Sequence, residues 1–170
     1  MKKNLTKRLC RAGVIAALYV ALTYVFMPFA FGPLQIRPAE ALCILALFFP
    51  EAIPALYVGC MLSNLTSPFW VYDVFLGSLA TLLAAFVTYM VGVFIKNHVL
   101  KFILGGIFPV LVNAFIIPII IVFLCGGAGD QTPAMAYWTF FASFVLTQSV
   151  WVYGLGSGLY TWLSRKYKKE

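Results

Sequence analysis

Residues 102–124 read FILGGIFPVLVNAFIIPIIIVFL, a run of 23 positions with no charged side chain. A helix needs ~20 mostly apolar residues to cross the ~30 Å hydrocarbon core of a bilayer. Working outward, residues 71–95 (VYDVFLGSLATLLAAFVTYMVGVFI) form a second such run, with one charge, Asp73, near its start. Both runs are continuous rather than alternating, which argues against barrel strands. The 170-residue chain is 63% hydrophobic and 10% charged, against ~45–50% apolar and ~25% charged in a soluble domain. Its mean hydropathy is +0.97. A soluble core of this size cannot hide that much apolar surface. The chain reads as an all-α integral membrane protein.

Six apolar segments separate, at about Leu9 to Phe29, Pro38 to Phe49, Ala52 to Leu65, Val71 to Ile95, Phe102 to Leu124, and Ala134 to Leu163. A Phe31-Gly32-Pro33 turn closes the first, and Pro50-Glu51 breaks the second from the third. The second and third are short, reaching only about 20 Å as α-helices, so they could form one kinked span. Charge decides between the two topologies. With six spans and a cytoplasmic start, Lys2, Lys3, Lys7, Arg8, Arg11, Lys96, Lys101, Arg165, Lys166, Lys168 and Lys169 all lie inside, leaving Arg37 alone outside. Five spans would put Lys96, Lys101 and the basic C-terminus on the wrong face. The expectation is a six-helix bundle, both termini cytoplasmic, with the second and third helices short. The first apolar run exceeds the ~7–15 residues of a signal h-region and is read as a retained helix. The length leaves room for a single membrane domain over residues 1–170 and for no fused nucleotide-binding domain or receptor head.

The net charge of +7 comes from basic clusters flanking apolar runs, which is a topology pattern rather than a nucleic-acid face. Cys10, Cys43, Cys60 and Cys125 are scattered without a CxxC pair or a neighbouring His; they are expected to pack as small apolar residues, with no metal site. Enzyme signatures are missing. The sequence holds no HExxH and no Walker A motif, His98 lies in a basic loop, and Ser157 has no intramembrane His to activate it. No catalytic residue and no cofactor is expected.

Polar residues beside apolar segments are candidates for function. In the six-span topology they gather toward the outer face: Gln35, Arg37 and Glu40; Asn64, Trp70, Tyr72 and Asp73; Asp130, Gln131 and Trp138; and Asn113, Gln148 and Trp151 within the last two helices. Glu40 has two readings. It either caps the helix begun by Pro38 and pairs with Arg37, or it accepts two parallel N–H bonds from a ligand. Asp73 likewise either caps the fourth helix or serves the site. Trp70 and Trp151 are candidates for stacking on a planar ligand. The first helix carries small residues four apart, Ala12/Ala16 beside Gly13/Ala17/Ala21, and the sixth holds Gly154-x-x-x-Gly158. Such spacing lets membrane helices approach closely. The sixth-helix pair is expected inside the bundle, and the first helix is expected to touch both bundle and partner.

The stretch Leu34-Gln35-Ile36-Arg37-Pro38-Ala39-Glu40-Ala41-Leu42-Cys43, followed by Phe48-Phe49-Pro50-Glu51-Ala52-Ile53-Pro54, resembles the QueT family. Asn64, Asp73 and Phe75-Leu76-Gly77-Ser78-Leu79-Ala80-Thr81 fit the same pattern. The resemblance extends over essentially the whole chain and is densest over residues 34–81. Ala39 departs from it, standing where the family commonly carries Ser. The resemblance implies a substrate-binding S component of an energy-coupling-factor (ECF) transporter in a prokaryotic plasma membrane. Its partners would be a transmembrane T subunit and two ATPases, which accounts for the missing Walker motif. Its ligand would be a queuosine precursor, a 7-deazaguanine. Glu40, Arg37, Asn64, Trp70, Asp73, Asn113, Gln148 and Trp151 are then the expected substrate contacts, and Ala12, Gly13, Ala16, Ala17 and Ala21 the docking surface. The rival readings are an S component for another vitamin, or a small membrane enzyme or scaffold.

Overall fold

The computed structural model describes residues 2–30 and 35–167, with side chains over 5–30 and 35–166; the Phe31-Gly32-Pro33 turn lies outside them. Among the described residues the chain is helical, without strands. Helix α1 (Lys2–Val25) is followed by one turn, α2 (Met27–Ala30), then by a 3₁₀ segment (Pro38–Leu47), α3 (Ala52–Asn64) and α4 (Trp70–Tyr72). After them come α5 (Ser78–Phe94), α6 (His98–Ile119) and α7 (Pro133–Tyr167). A π turn at Asp73–Gly77 fuses α4 to α5, and another at Ile120–Leu124 extends α6. Leu5–Val25, Trp70–Phe94 and His98–Leu124, of 21, 25 and 27 residues, are long and apolar enough to cross a membrane. Helix α7 has the length, 35 residues, but Thr139, Ser143, Thr147, Gln148 and Ser157 dilute its apolar character.

Helix α6 begins at His98, four residues before the apolar run. The reason is the Asn97 side chain, which caps it by accepting from the backbone N–H groups of Val99 (3.0 Å) and Leu100 (3.3 Å). Within α6, Pro109 has no N–H to give the Gly105 carbonyl one turn back. The Thr88 hydroxyl of α5 donates to that carbonyl instead, at 3.1 Å. A proline inside a membrane helix is tolerated when a neighbour satisfies the freed group in this way.

The second apolar segment is not an α-helix. Its ten residues, all buried, wind as 3₁₀, an uncommon length for that geometry. With three residues per turn its side chains fall into three rows. Ile44 and Leu47, from one row, pack with Val91, Val110, Val152 and Tyr160 of α5, α6 and α7. Ala39, Leu42 and Leu45 from the second row, and Cys43 and Ala46 from the third, pack instead with Ile15, Tyr19, Leu56 and Cys60 of α1 and α3. The segment is thus the hub of the bundle, and only small neighbours admit it. A Cβ on Gly92 of α5 would stand 2.5 Å from the Leu47 carbonyl oxygen. Gly156 of α7 faces Ile44, where a Cβ would lie at 3.0 Å. Gly154 and Gly158 have nothing within 4 Å and point away, so the expected glycine pair is not the bundle contact. The α-helical period carries Gly156, two residues away, to the opposite face.

Helices α1 and α3 run parallel. Glu51, just before α3, meets Arg8 and Arg11, and two turns further Gly59 meets Ala16 and Tyr19. A Cβ at Gly59 would lie 2.9 Å from the Tyr19 Cβ and 3.1 Å from the Ala16 carbonyl oxygen, so this approach requires glycine.

Candidate functional site

Glu40 sits in the first turn of the 3₁₀ hub, 1% exposed. Neither end of its segment is capped by a side chain. Its carboxylate is held from other directions: the Tyr19 hydroxyl of α1 donates to Oε1 at 2.6 Å, and the Cys43 thiol, one 3₁₀ turn on, donates to Oε2 at 3.5 Å. Glu40 thus keeps the first-turn place of the capping reading, while its carboxylate bonds to side chains of α1 and of the next turn. Arg37 is also buried, its Nε donating to the Ala30 carbonyl at 3.2 Å. A carboxylate at this depth with neutral donors keeps acceptor capacity, since its two oxygens offer about four lone-pair sites.

Asn64 and Asp73, both expected around the second outer loop, are brought together. The Asn64 amide donates to the Asp73 backbone carbonyl (2.8 Å) and to the Cys60 sulfur (3.3 Å). That carbonyl also accepts from Ser78 N–H across the π turn, and the wider turn leaves it room for the Asn64 bond. The Asp73 carboxylate accepts from the Ser67 hydroxyl and stands inside the continuous helix Trp70–Phe94, not at its cap. Thr81 donates to Cys60 at 3.3 Å. Cys60 thus joins α3 to α5, in the cluster that also holds Tyr19 and Cys43.

Asn113 and Gln148 form a separate pair. The Asn113 amide donates to Gln148 Oε1 at 3.2 Å, linking α6 to α7. Gln148 is fully buried, yet among the described residues its Nε2 has no partner, and the same holds for the Ser78 hydroxyl. Unmet buried donors are uncommon; they fit a polar guest. The tryptophans are less engaged. Trp70 is 53% exposed and Trp138 60% exposed, while Trp151 meets Phe26 edge-on at 5.6 Å between ring centroids. Asp130 and Gln131 line a different, open cavity of about 530 Å³ with Thr139, Phe140 and Ser143.

The small-residue rows of α1 split. Ala12 and Ala16 pack against the core, with Ala16 on Gly59, whereas Gly13, Ala17 and Ala21 are exposed and Gly13 has nothing within 4 Å. Sequence reasoning passed over Tyr19, Ser67, Cys60 and Thr81. For Tyr19 a signal existed: it lies three residues beyond Ala16 and four beyond Ile15, on the inward face of the helix.

Among known families, the one described as the QueT transporter matches residues 9–165. Among curated proteins, "Queuosine precursor transporter QueT" of Lactococcus lactis subsp. cremoris (strain MG1363) is 42% identical over 84 residues, which cover 48% of this chain and 49% of that protein. The match thus spans about half the length of that relative. No solved structure matches the chain with significance.

Proposed function

The chain belongs to the QueT transporter family, a multi-pass membrane protein, and from that premise we propose that it is an ECF S component that binds a queuosine precursor. The observation that carries the reading is Glu40, a membrane-buried carboxylate satisfied only by neutral donors among the bonds on its two oxygens described above. A 7-deazaguanine presents a ring N–H beside an exocyclic amine, and one carboxylate accepts both in parallel. Asn64 with Asp73, and Asn113 with the Gln148 amide, are the further candidates to supply donors and acceptors for a base edge. Arg37, Trp70 and Trp151 stand as further candidate contacts. In the reading proposed here the chain has six membrane spans with cytoplasmic termini, and the site opens toward the outer face.

Transport energy comes, in this reading, from two ATPases on a T subunit. The docking surface on α1 narrows to the outward row of Gly13, Ala17 and Ala21, with Ala12 and Ala16 serving the bundle behind it.

The test is thermal stabilisation of the purified protein. A 7-deazaguanine should raise the melting temperature in a saturable way, as any ligand that binds only the native state must. A response to riboflavin or thiamin alone would retain the S-component class and remove this substrate. No response to any of these, with catalytic turnover instead, would favour the enzyme reading.

A further inference from the structure

The geometry points to Tyr19 as the positioning residue that sets the Glu40 carboxylate for a base bearing a 2-amino group, so that α1 contributes to substrate discrimination; the inference rests on the function proposed above. A glutamate has three side-chain torsions, and a freely turning carboxylate cannot present both oxygens to two parallel donors. Here the Tyr19 hydroxyl fixes Oε1 at 2.6 Å and the Cys43 thiol restrains Oε2 at 3.5 Å.

Tyr19 has little freedom of its own. It is 1% exposed, its Cβ lies against Gly59, and its carbonyl accepts the Thr23 hydroxyl at 2.9 Å. Long side chains in a helix are confined to two χ1 wells, so a ring pinned at its Cβ by α3 delivers the hydroxyl to one place. A phenylalanine would fill the same space against α3. What the hydroxyl adds is the bond to Glu40 and a contact with the Cys60 thiol.

The lone pairs point to the ligand class. Of about four acceptor sites on a carboxylate, Tyr19 takes one on Oε1 and Cys43 one on Oε2. Among the described residues one site then remains on each oxygen, which is the pattern that a ring N–H with an adjacent exocyclic N–H₂ satisfies. A 7-deazapurine lacking the amine meets only one of the two, and sites built to hydrogen-bond a group discriminate strongly against its absence. Without the Tyr19 hydroxyl the carboxylate can rotate out of register and one acceptor becomes surplus, so the preference narrows.

The experiment is calorimetric titration of the purified full-length wild type, Tyr19→Phe, Cys43→Ala and Glu40→Gln. Each is titrated with 7-deazaguanine and with the matching analogue lacking the 2-amino group, and melting curves are recorded alongside. The wild type should prefer the amine-bearing base by at least about tenfold, the scale of one charged hydrogen bond. Tyr19→Phe should bind it about five- to tenfold more weakly and lose most of the preference, with Cys43→Ala moving the ratio less. A Tyr19→Phe protein that keeps the wild-type ratio while Glu40→Gln has lost binding overturns the role of Tyr19 and leaves the proposed function standing. A Tyr19→Phe protein that fails to fold also overturns it, since the hydroxyl would then serve stability. A wild type that binds neither base removes the proposed function together with this inference.

Discussion

Glu40 and Glu51 stand eleven residues apart on one buried stretch and are held in opposite ways. Glu51 receives two cations, Arg11 at 2.6 Å and Arg8 at 3.2 Å, and the Arg11 guanidinium lies 4.0 Å over the Phe49 ring. Glu40 receives a phenol and a thiol. The first arrangement neutralises charge and closes the site, binding α1 to the entry of α3. The second holds the carboxylate by neutral hydrogen-bond donors. A carboxylate inside a membrane protein is costly to keep, so one left with neutral donors and spare lone pairs is the one to assign to a ligand. On the function proposed, what separates the two buried acids is the charge of their hydrogen-bond donors rather than their burial.

Helix α1 touches both carboxylates, through Arg8 and Arg11 at one end and Tyr19 further along. Ala16→Leu should therefore blur the contrast most. A bulky side chain against Gly59 overpacks the α1–α3 contact, with an expected loss of about 1–3 kcal/mol, visible in melting curves. Ligand affinity should fall with it as Tyr19 moves. Ala17→Leu, one residue along and exposed, should melt and bind ligand like the wild type yet lose co-purification with the T subunit. Equal behaviour of the two variants would contradict the split of the small-residue rows.

The next effect is smaller. Glu51→Gln leaves two arginines without their anion, but those arginines are 54% and 36% exposed. Solvent screening holds the loss near 1 kcal/mol, and ligand affinity should stay within about twofold. Gln148→Met removes the unmet amide while depriving Asn113 of its acceptor. Stability should shift by under about 1 kcal/mol as the two effects oppose, and affinity should drop a few-fold if Gln148 contacts the base. The least effect comes from salt. Raising it to about 1 M shortens the Debye length to ~3 Å, which should narrow the stability gap between wild type and Glu51→Gln and leave the affinity gap at Glu40 untouched.

The helices around this contrast were legible in sequence, and the part that was not has physical causes. The long apolar runs announced α5, α6 and α7 within a few residues, because hydropathy is set by composition. That Asn64 and Asp73 lie around one loop was also legible, whereas the bond from the Asn64 amide to the Asp73 carbonyl was not. Nor were ten residues of 3₁₀ helix, since nothing in Pro38-Ala39-Glu40-Ala41-Leu42-Cys43-Ile44-Leu45-Ala46-Leu47 forbids an α-helix. Two sets of neighbours accompany that tighter winding, one for the row of Ile44 and Leu47 and one shared by the other two rows. The Glu40 partnership with Tyr19 joins residues 21 apart, beyond any helical spacing, and the Arg8 and Arg11 bonds to Glu51 span 43 and 40. Periodicity could show which face Tyr19 occupies but not what it meets there. Gly154 and Gly158 mark the reverse case, a recognisable motif that points away from the bundle.

The most direct measurement is a side-by-side calorimetric titration of wild type, Glu40→Gln and Glu51→Gln with 7-deazaguanine. Glu40→Gln keeps the shape but turns one acceptor oxygen into a donor, so affinity should fall about ten- to hundredfold, equivalent to ~1.4–2.8 kcal/mol, with little change in melting. Glu51→Gln should melt lower and bind as the wild type does. Unchanged affinity in Glu40→Gln, or equal losses in both variants, would contradict the assignment of Glu40 to the ligand.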